Sequence, residues 1–390
     1  MKYLLIALVL ICMLPGCSSV TKEMNSFSAT NDTLVIRTQK QKGQGLFMIG
    51  AVNPDFKDPA DKSFTYPVTF STQIENITRL QLLTEFVHEN KNYIDILKGT
   101  KDNEEVFIVD KNNNHDFTDD AIHPIKELIW DRSDHLAKTT FLISNGQKIV
   151  RDSAWVELGI YDNTLFFRKN EHLTADITLG KKQYKIGIAD PRSPAVFSYS
   201  NTTEIALLND NGKLKDKIVL KDNLKLGEYI RLNNTFYRFE NISNNGEYIT
   251  LIKDKDFDKK TGLQIGMNAP GFKGVTIAGA IVNSADLHNK ITIILNSCEC
   301  GGDKESTEAY YEIREKYGDK INLLRLDSDI RKDLDGLQIN VSAKENKELY
   351  DSYRGEYCSR TCYIIDKNNK LVDKFESHKW KQYLDEKTIQ

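Results

Sequence analysis

Ile291-Thr292-Ile293-Ile294-Leu295-Asn296-Ser297-Cys298-Glu299-Cys300-Gly301-Gly302 decides the fold. Five residues rich in β-branched side chains predict a buried strand, the glycine pair allows a sharp turn, and Asp303 offers a side-chain oxygen to cap a helix. Ala309, Tyr310, Ile313 and Tyr317 recur at helical spacing, so the helix is expected to end at Tyr317. Both thiols therefore precede a helix N-terminus, where free N–H groups and the helix dipole favour thiolate over thiol. Redox or nucleophilic cysteine chemistry needs that bias. The same two residues also read as halves of structural disulfides in an exported protein.

Working outward toward the C-terminus, Ile321 to Leu326 predicts a second parallel strand and residues 343–353 a helical return. Tyr357 to Asp366 then reads as a strand that turns at Lys367-Asn368-Asn369 into Leu371 to Phe375. Ser377 caps a last helix carrying Trp380, Tyr383 and Leu384 on one face. The order is βαβ followed by ββα.

That order, the stretch Ile265-Gly266-Met267-Asn268-Ala269-Pro270-Gly271-Phe272, the cysteine turn and the hairpin from Cys362 to Val372 together resemble TlpA-like envelope thiol-disulfide oxidoreductases. The resemblance spans Ile265 to Gln390. It implies a thioredoxin fold, disulfide exchange through a Cys-x-x-Cys pair, a cis-proline facing that pair, and protein thiols or disulfides in the envelope as partners. Two positions depart from the pattern. The pair here is Cys298-Glu299-Cys300, preceded by Ser297 rather than tryptophan, and Arg360 stands where the family has its cis-proline. In such a fold the loop bearing Cys358, Arg360 and Cys362 faces the turn, so all four thiols would meet and Arg360 would stabilise negative charge on sulfur. Cys298 or Cys300 is then the attacking thiolate, with its partner, Cys358 or Cys362 as resolving or disulfide candidates. Two other readings stand beside this one. The first is a thioredoxin-fold binding or structural lipoprotein without catalysis, pinned by disulfides. The second is a thiol peroxidase, although the Pro-x-x-x-Thr-x-x-Cys loop of peroxiredoxins is absent.

At the other end, Lys2, an apolar run from Tyr3 to Met13, and Leu14-Pro15-Gly16-Cys17 resemble a bacterial lipoprotein signal. The resemblance implies cleavage after residue 16 and acylation of Cys17 with long chains such as palmitate, which would anchor the protein on a membrane. Ser18 and Ser19 resemble outer-membrane sorting, with the protein facing periplasm or medium. Cys12 would leave with the signal and Cys17 would carry lipid. The four remaining cysteines, Cys298, Cys300, Cys358 and Cys362, then lie in the C-terminal part of a chain whose compartment permits disulfides.

With 390 residues the chain is too long for one ordinary core. Its 40% hydrophobic and 28% charged content is globular, and a formal charge of -3 argues against nucleic acid as a partner. Residues 17–32 read as a polar tether. From Thr33 to Asp258 short β-prone runs alternate with Asn, Asp and Gly turns, predicting an antiparallel, sandwich-like β region followed by the α/β thioredoxin-like domain. The expected units are 33–150, 151–262 and 263–390. No cofactor is required by this reading, but one loop suits calcium: Asp110, Asn112, Asn114 and Asp116 place oxygens at alternating positions, with Asp119 and Asp120 beyond. It resembles DxNxNxD calcium loops of extracellular bacterial domains, with His115 where their sharp-turn glycine stands and no closing glutamate.

Overall fold

Paired Asn and Asp residues between β-prone runs do what their chemistry predicts. Asp102-Asn103, Asp162-Asn163 and Asn233-Asn234 all have positive φ, and each joins two antiparallel strands through a two-residue hairpin loop. A loop with two left-handed residues matches the twist of the strands it connects, which is why such residues serve there. The computed structural model describes residues 26–30, 32–85, 92–132, 135–297, 303–328, 337–354 and 360–385.

The N-terminal region is mostly antiparallel sheet, and its two largest clusters of buried side chains organise it. Glu75–Leu83, Tyr93–Lys101 and Glu104–Val109 form one meander, and Ala137–Ser144, Ile149–Tyr161 and Thr164–Lys169 form another. Leu80, Ile96 and Phe107 from the first share a core with Phe141, Val156 and Phe167 from the second. A separate core joins Thr33–Arg37, Thr235–Ile242 and Tyr248–Asp254 to Glu171–Leu179, Lys182–Ala189 and Glu204–Asp210.

This pairing corrects the expected boundary at residue 150. That position falls inside the strand Ile149–Tyr161, whose first half pairs with Ala137–Ser144. Likewise Thr33–Arg37 pairs with Tyr248–Asp254, so strands from the two ends of the N-terminal region share one sheet. Strand pairing over long sequence separation leaves no mark in local composition, and a boundary read from strand counts misses it.

The C-terminal sheet contains β1 (Ile291–Asn296), β2 (Ile321–Asp327), β3 (Leu337–Asn340), β4 (Thr361–Ile365) and β5 (Leu371–Glu376). Their spatial order is β3-β2-β1-β4-β5. The first three are parallel, β4 runs antiparallel to β1, and β5 antiparallel to β4. The helix α1 (Lys304–Tyr317) links β1 to β2. It lays Ala309, Tyr310, Ile313 and Tyr317 over Ile291, Ile293 and Leu295, while Ile294 on the opposite face packs with Leu324, Leu326, Ile339 and Tyr353. A strand covered on both faces has no solvent side to show, hence the nearly continuous apolar run in its sequence, interrupted only by the buried Thr292 before it ends at Asn296. β3 was not expected. The return at 343–353 is a run of short helical turns from Lys344 to Arg354, and the last helix is a single 3₁₀ segment, Ser377–Gln382.

Candidate functional site

Cys298 and Cys300, with the rest of 298–302, lie outside the described residues, as do Cys358 and Cys17. The flanks of the turn are described, and they are tightly held. Ser297 is fully buried, and its amide donates to Leu326 O at 2.9 Å. Asn296, also fully buried, donates through Nδ2 to Thr361 O at 2.9 Å and to Tyr353 O at 3.3 Å. The end of β1 is thereby tied to the start of β4.

Asp303 stands at the N-cap position, as expected, but its side chain accepts no capping hydrogen bond from the helix. Its carboxylate pairs instead with Arg360, Nε to Oδ1 at 3.0 Å. Arg360 is therefore packed against the start of α1. The sequence expectation put this guanidinium on sulfur; its Nε faces the carboxylate.

Cys362 requires a correction. It lies within β4, opposite Leu295 of β1, and its side chain is wholly buried among Ile293, Leu295, Ile364 and Phe375 as a free thiol. Burial pushes this thiol well above its usual range. Strand alternation is the cause: the residue after Thr361 turns toward α1 and the core, so Cys362 faces away from the strand end at which it was expected to line a site. With Cys362 free, the remaining three sulfurs at Cys298, Cys300 and Cys358 cannot make two intramolecular disulfides, and the doubly stapled alternative loses its second bridge.

Sequence reasoning missed a polar network beneath the turn. Arg325 and Asp327 of β2 are fully buried. Arg325 donates from Nε to Ser297 Oγ at 2.7 Å, from Nη2 to Asp327 Oδ2 at 2.7 Å and to Thr307 Oγ1 at 3.0 Å, and from Nη1 to Gln338 Oε1 at 3.2 Å. Ser297 Oγ in turn donates to Asp327 Oδ2 at 2.9 Å. The signal is present in the sequence: two charges at alternate positions of a mostly apolar strand share one face, and a buried charge requires a partner.

Beside this site a cleft of about 590 Å³ opens between the β region and the C-terminal sheet. Its walls include Met48, Trp130, Arg192, Lys225, Thr361 and Tyr363. Apolar, aromatic and charged groups mix there.

The 110–120 loop is closed by its own amides. Asp110 accepts from Asn114 N at 3.2 Å and His115 N at 2.9 Å, Asn114 Oδ1 from Asp116 N at 2.8 Å, and Asp116 Oδ1 from Thr118 N at 3.0 Å. His115 takes the left-handed conformation that its place in the turn demands, with φ 65°, and its ring stacks on Tyr66 at 3.9 Å. Asn112 and Asn114 direct their amide nitrogens to Asp119 Oδ2. Among the described residues no three His, Cys, Asp or Glu side chains converge as a metal site. A cation here depends on those asparagines turning their oxygens inward. One observation fits a cation: Asp120 Oδ2 is buried with no hydrogen-bond partner. Burial, with repulsion from Asp110 and Asp119, raises this carboxyl to about 6.

No protein-family model matches the chain, and no curated protein matches it. Solved structures do. The thioredoxin domain of a thiol-disulfide oxidoreductase from Bacteroides vulgatus is similar at 15% identity, over 32% of this chain and 100% of that one, with a TM-score of 0.26. A thiol:disulfide interchange protein from Bacteroides sp. is similar at 16% identity, over 32% and 88%, with a TM-score of 0.26. A SCO1/SenC family lipoprotein from Bacillus anthracis is similar at 12% identity, over 28% and 84%, with a TM-score of 0.23.

Proposed function

We propose that the C-terminal domain exchanges thiols and disulfides with polypeptide substrates through Cys298 and Cys300. The observation that carries this reading is the Arg360–Asp303 contact, which sets Arg360, two residues after Cys358 in the sequence, against the start of the helix that follows the cysteine pair. In the reducing direction one thiolate attacks a substrate disulfide, forming a mixed disulfide and releasing a substrate thiolate that takes up a proton. The second thiolate then attacks the protein sulfur of that mixed disulfide. The substrate leaves as a dithiol carrying two electrons, and the protein is left with a Cys298–Cys300 disulfide; oxidation runs the same steps backward. A ring closed across one intervening residue is small and strained, which makes its disulfide oxidising and suits isomerisation or electron acceptance. At least one of the two thiols is expected to alkylate with a midpoint below the free-cysteine value of about 8.5. Ordinary alkylation midpoints for both would remove the thiolate from the mechanism.

The reading includes a lipid anchor at Cys17 that holds the protein on the cell envelope, in the outer membrane. Cys17→Ala is expected to release the protein into the soluble fraction after cell lysis. Membrane retention of the variant at the level of the unchanged protein would rule the anchor out.

We also propose calcium at the 110–120 loop, on the strength of the orphaned Asp120 Oδ2. Asp120, Asp110, Asp116 and the asparagine oxygens would hold the ion, which would screen carboxylates that repel one another. A carboxyl raised above its unfolded value supports the fold while protonated, and that contribution is lost as pH rises through about 6. At neutral pH the metal-free protein therefore carries a penalty that calcium relieves by binding only the native state. Millimolar calcium is expected to raise the melting temperature at pH 7.5. Asp120→Asn is expected to raise it without calcium, to abolish the calcium response, and to lose its advantage below about pH 4, where the unfolded carboxyl is protonated too. An equal shift with magnesium, or a calcium response that survives Asp120→Asn, would remove the ion.

A further inference from the structure

We propose that the open edge of the strand Glu75–Leu83 takes up an extended polypeptide segment as an added antiparallel strand, whatever chemistry the C-terminal domain performs. This strand is the outer one of its sheet, paired on one side with Tyr93–Lys101. Its even-numbered residues turn their main chain toward that partner, and the bond from Thr84 N to Asn92 O at 3.1 Å continues the same ladder. Asp95, opposite Gln81, faces the other way and accepts from Asp110 N at 3.1 Å. Successive residues of an antiparallel strand alternate in this respect, so Arg79, Gln81 and Leu83 present their N–H and C=O groups outward. Arg79 uses both, exchanging bonds with Lys57 at 2.8 and 2.9 Å. Beyond it the ladder stops. Among the described residues no main-chain group answers Gln81 or Leu83 on that side.

The segment that would have continued the ladder turns away. Pro54 has no N–H to give, and Phe56 N bonds back to Pro54 O at 3.3 Å before Val52 exchanges bonds with Phe167. Between these two bridges lies a gap of about 440 Å³, walled by Leu82 and Phe167 on one face of the strand and by Phe64 and Tyr93 on the other. Open sheet edges are ordinarily blunted by charge, proline or a bulge. Here the bulge falls between Glu75 and Thr78, and Gln81-Leu82-Leu83 carries neither charge nor proline. Leu83 and Val52, on either side of the gap, are 37% and 36% exposed. Complementarity names the occupant. Donors and acceptors repeating every second residue along one line match an extended main chain, and apolar walls on both faces receive its alternating side chains. The antiparallel direction follows from the Lys57–Arg79 pair, whose ladder the guest continues.

The probe is a fluorescein-labelled octapeptide of alternating valine and threonine, titrated against the full chain with anisotropy as the readout. N-methylation of every second amide leaves the peptide one intact edge, and binding is expected to stay within about threefold of the unmodified peptide. N-methylation of every amide removes both edges and is expected to weaken binding by at least about tenfold. Leu83→Pro deletes one outward donor and no bond to Tyr93–Lys101, a place where an edge strand tolerates proline. It is expected to weaken binding by about tenfold with the melting temperature nearly unchanged. If that variant fails to fold, the methylated series on the unmodified protein still decides. No saturable binding of the unmodified peptide overturns the proposal, as does a fully methylated peptide that binds as well, since side chains alone would then hold it. A folded Leu83→Pro that binds undiminished overturns it too. A dimer of the unmodified protein that Leu83→Pro dissolves would give the edge to a second copy of this chain and overturn it as well.

Discussion

Cys298→Ser and Cys300→Ser each leave a folded protein that no longer reduces insulin or reshuffles a scrambled substrate. The loss is expected to be on the order of 10³-fold or more, the scale seen when a nucleophile is deleted. A hydroxyl at either position cannot form the mixed disulfide or resolve it, and the flanks do not depend on sulfur. Ser297, Asn296, Asp303 and Thr307 are held by hydrogen bonds and ion pairs that the substitutions leave in place. The melting temperature is therefore expected to move little. A structural bridge behaves in the opposite way, costing roughly 2 to 5 kcal/mol of stability when removed and leaving no activity to lose. Two serine variants that melt far below the unmodified protein, in a protein without exchange activity, would transfer these cysteines to a structural role. Cys362→Ser is the internal control. Its thiol sits in the core among Ile293, Leu295 and Phe375, so the hydroxyl buries a polar group there and lowers stability without touching turnover.

The parts of this architecture that were legible are those whose cause is local. β1 is readable because a strand buried on both faces shows a nearly continuous apolar run, and α1 because Ala309, Tyr310, Ile313 and Tyr317 mark one helical face. Hairpin loops were readable because two successive left-handed residues ask for Asn and Asp. What escaped was non-local. The strand Thr33–Arg37 finds its partner at Tyr248–Asp254, more than two hundred residues on, and nothing in either sequence names the other. The spacing of Cys358, Arg360 and Cys362 suggests one shared loop, whereas strand alternation sends Cys362 into the core. Asp303 read as a cap, and a distant arginine took its carboxylate. Charges inside strands were the readable clue left unused. Arg325 and Asp327 beneath the turn, and Arg79 and Asp95 in the N-terminal region, each announce a buried pair.

That second pair gives the largest stability effect expected of a single substitution away from the site. Asp95 lies on the strand Tyr93–Lys101, and Arg79 on its neighbour Glu75–Leu83. Both side chains are essentially inaccessible, with 1% and 0% exposure for Arg79 and Asp95. One carboxylate oxygen accepts from Arg79 Nε at 2.8 Å and Nη2 at 2.6 Å, and the other accepts from the Tyr66 hydroxyl. Arg79 is further enclosed by Phe64, its ring centroid 4.4 Å from Cζ, and by the Tyr66 carbonyl at 2.8 Å from Nη1. Asp95→Ala leaves that guanidinium in place with its counter-charge gone and no water to replace it. A loss of about 3 to 5 kcal/mol is expected, read as a lower denaturation midpoint at constant m-value. The double substitution Arg79→Met with Asp95→Leu is expected to recover most of it, because the penalty comes from the stranded charge rather than from the missing attraction. A single substitution costing under about 1 kcal/mol would mean that water reaches Arg79. A double variant no better than the single would place the cost in the Tyr66 and Gln81 contacts that Asp95 also serves.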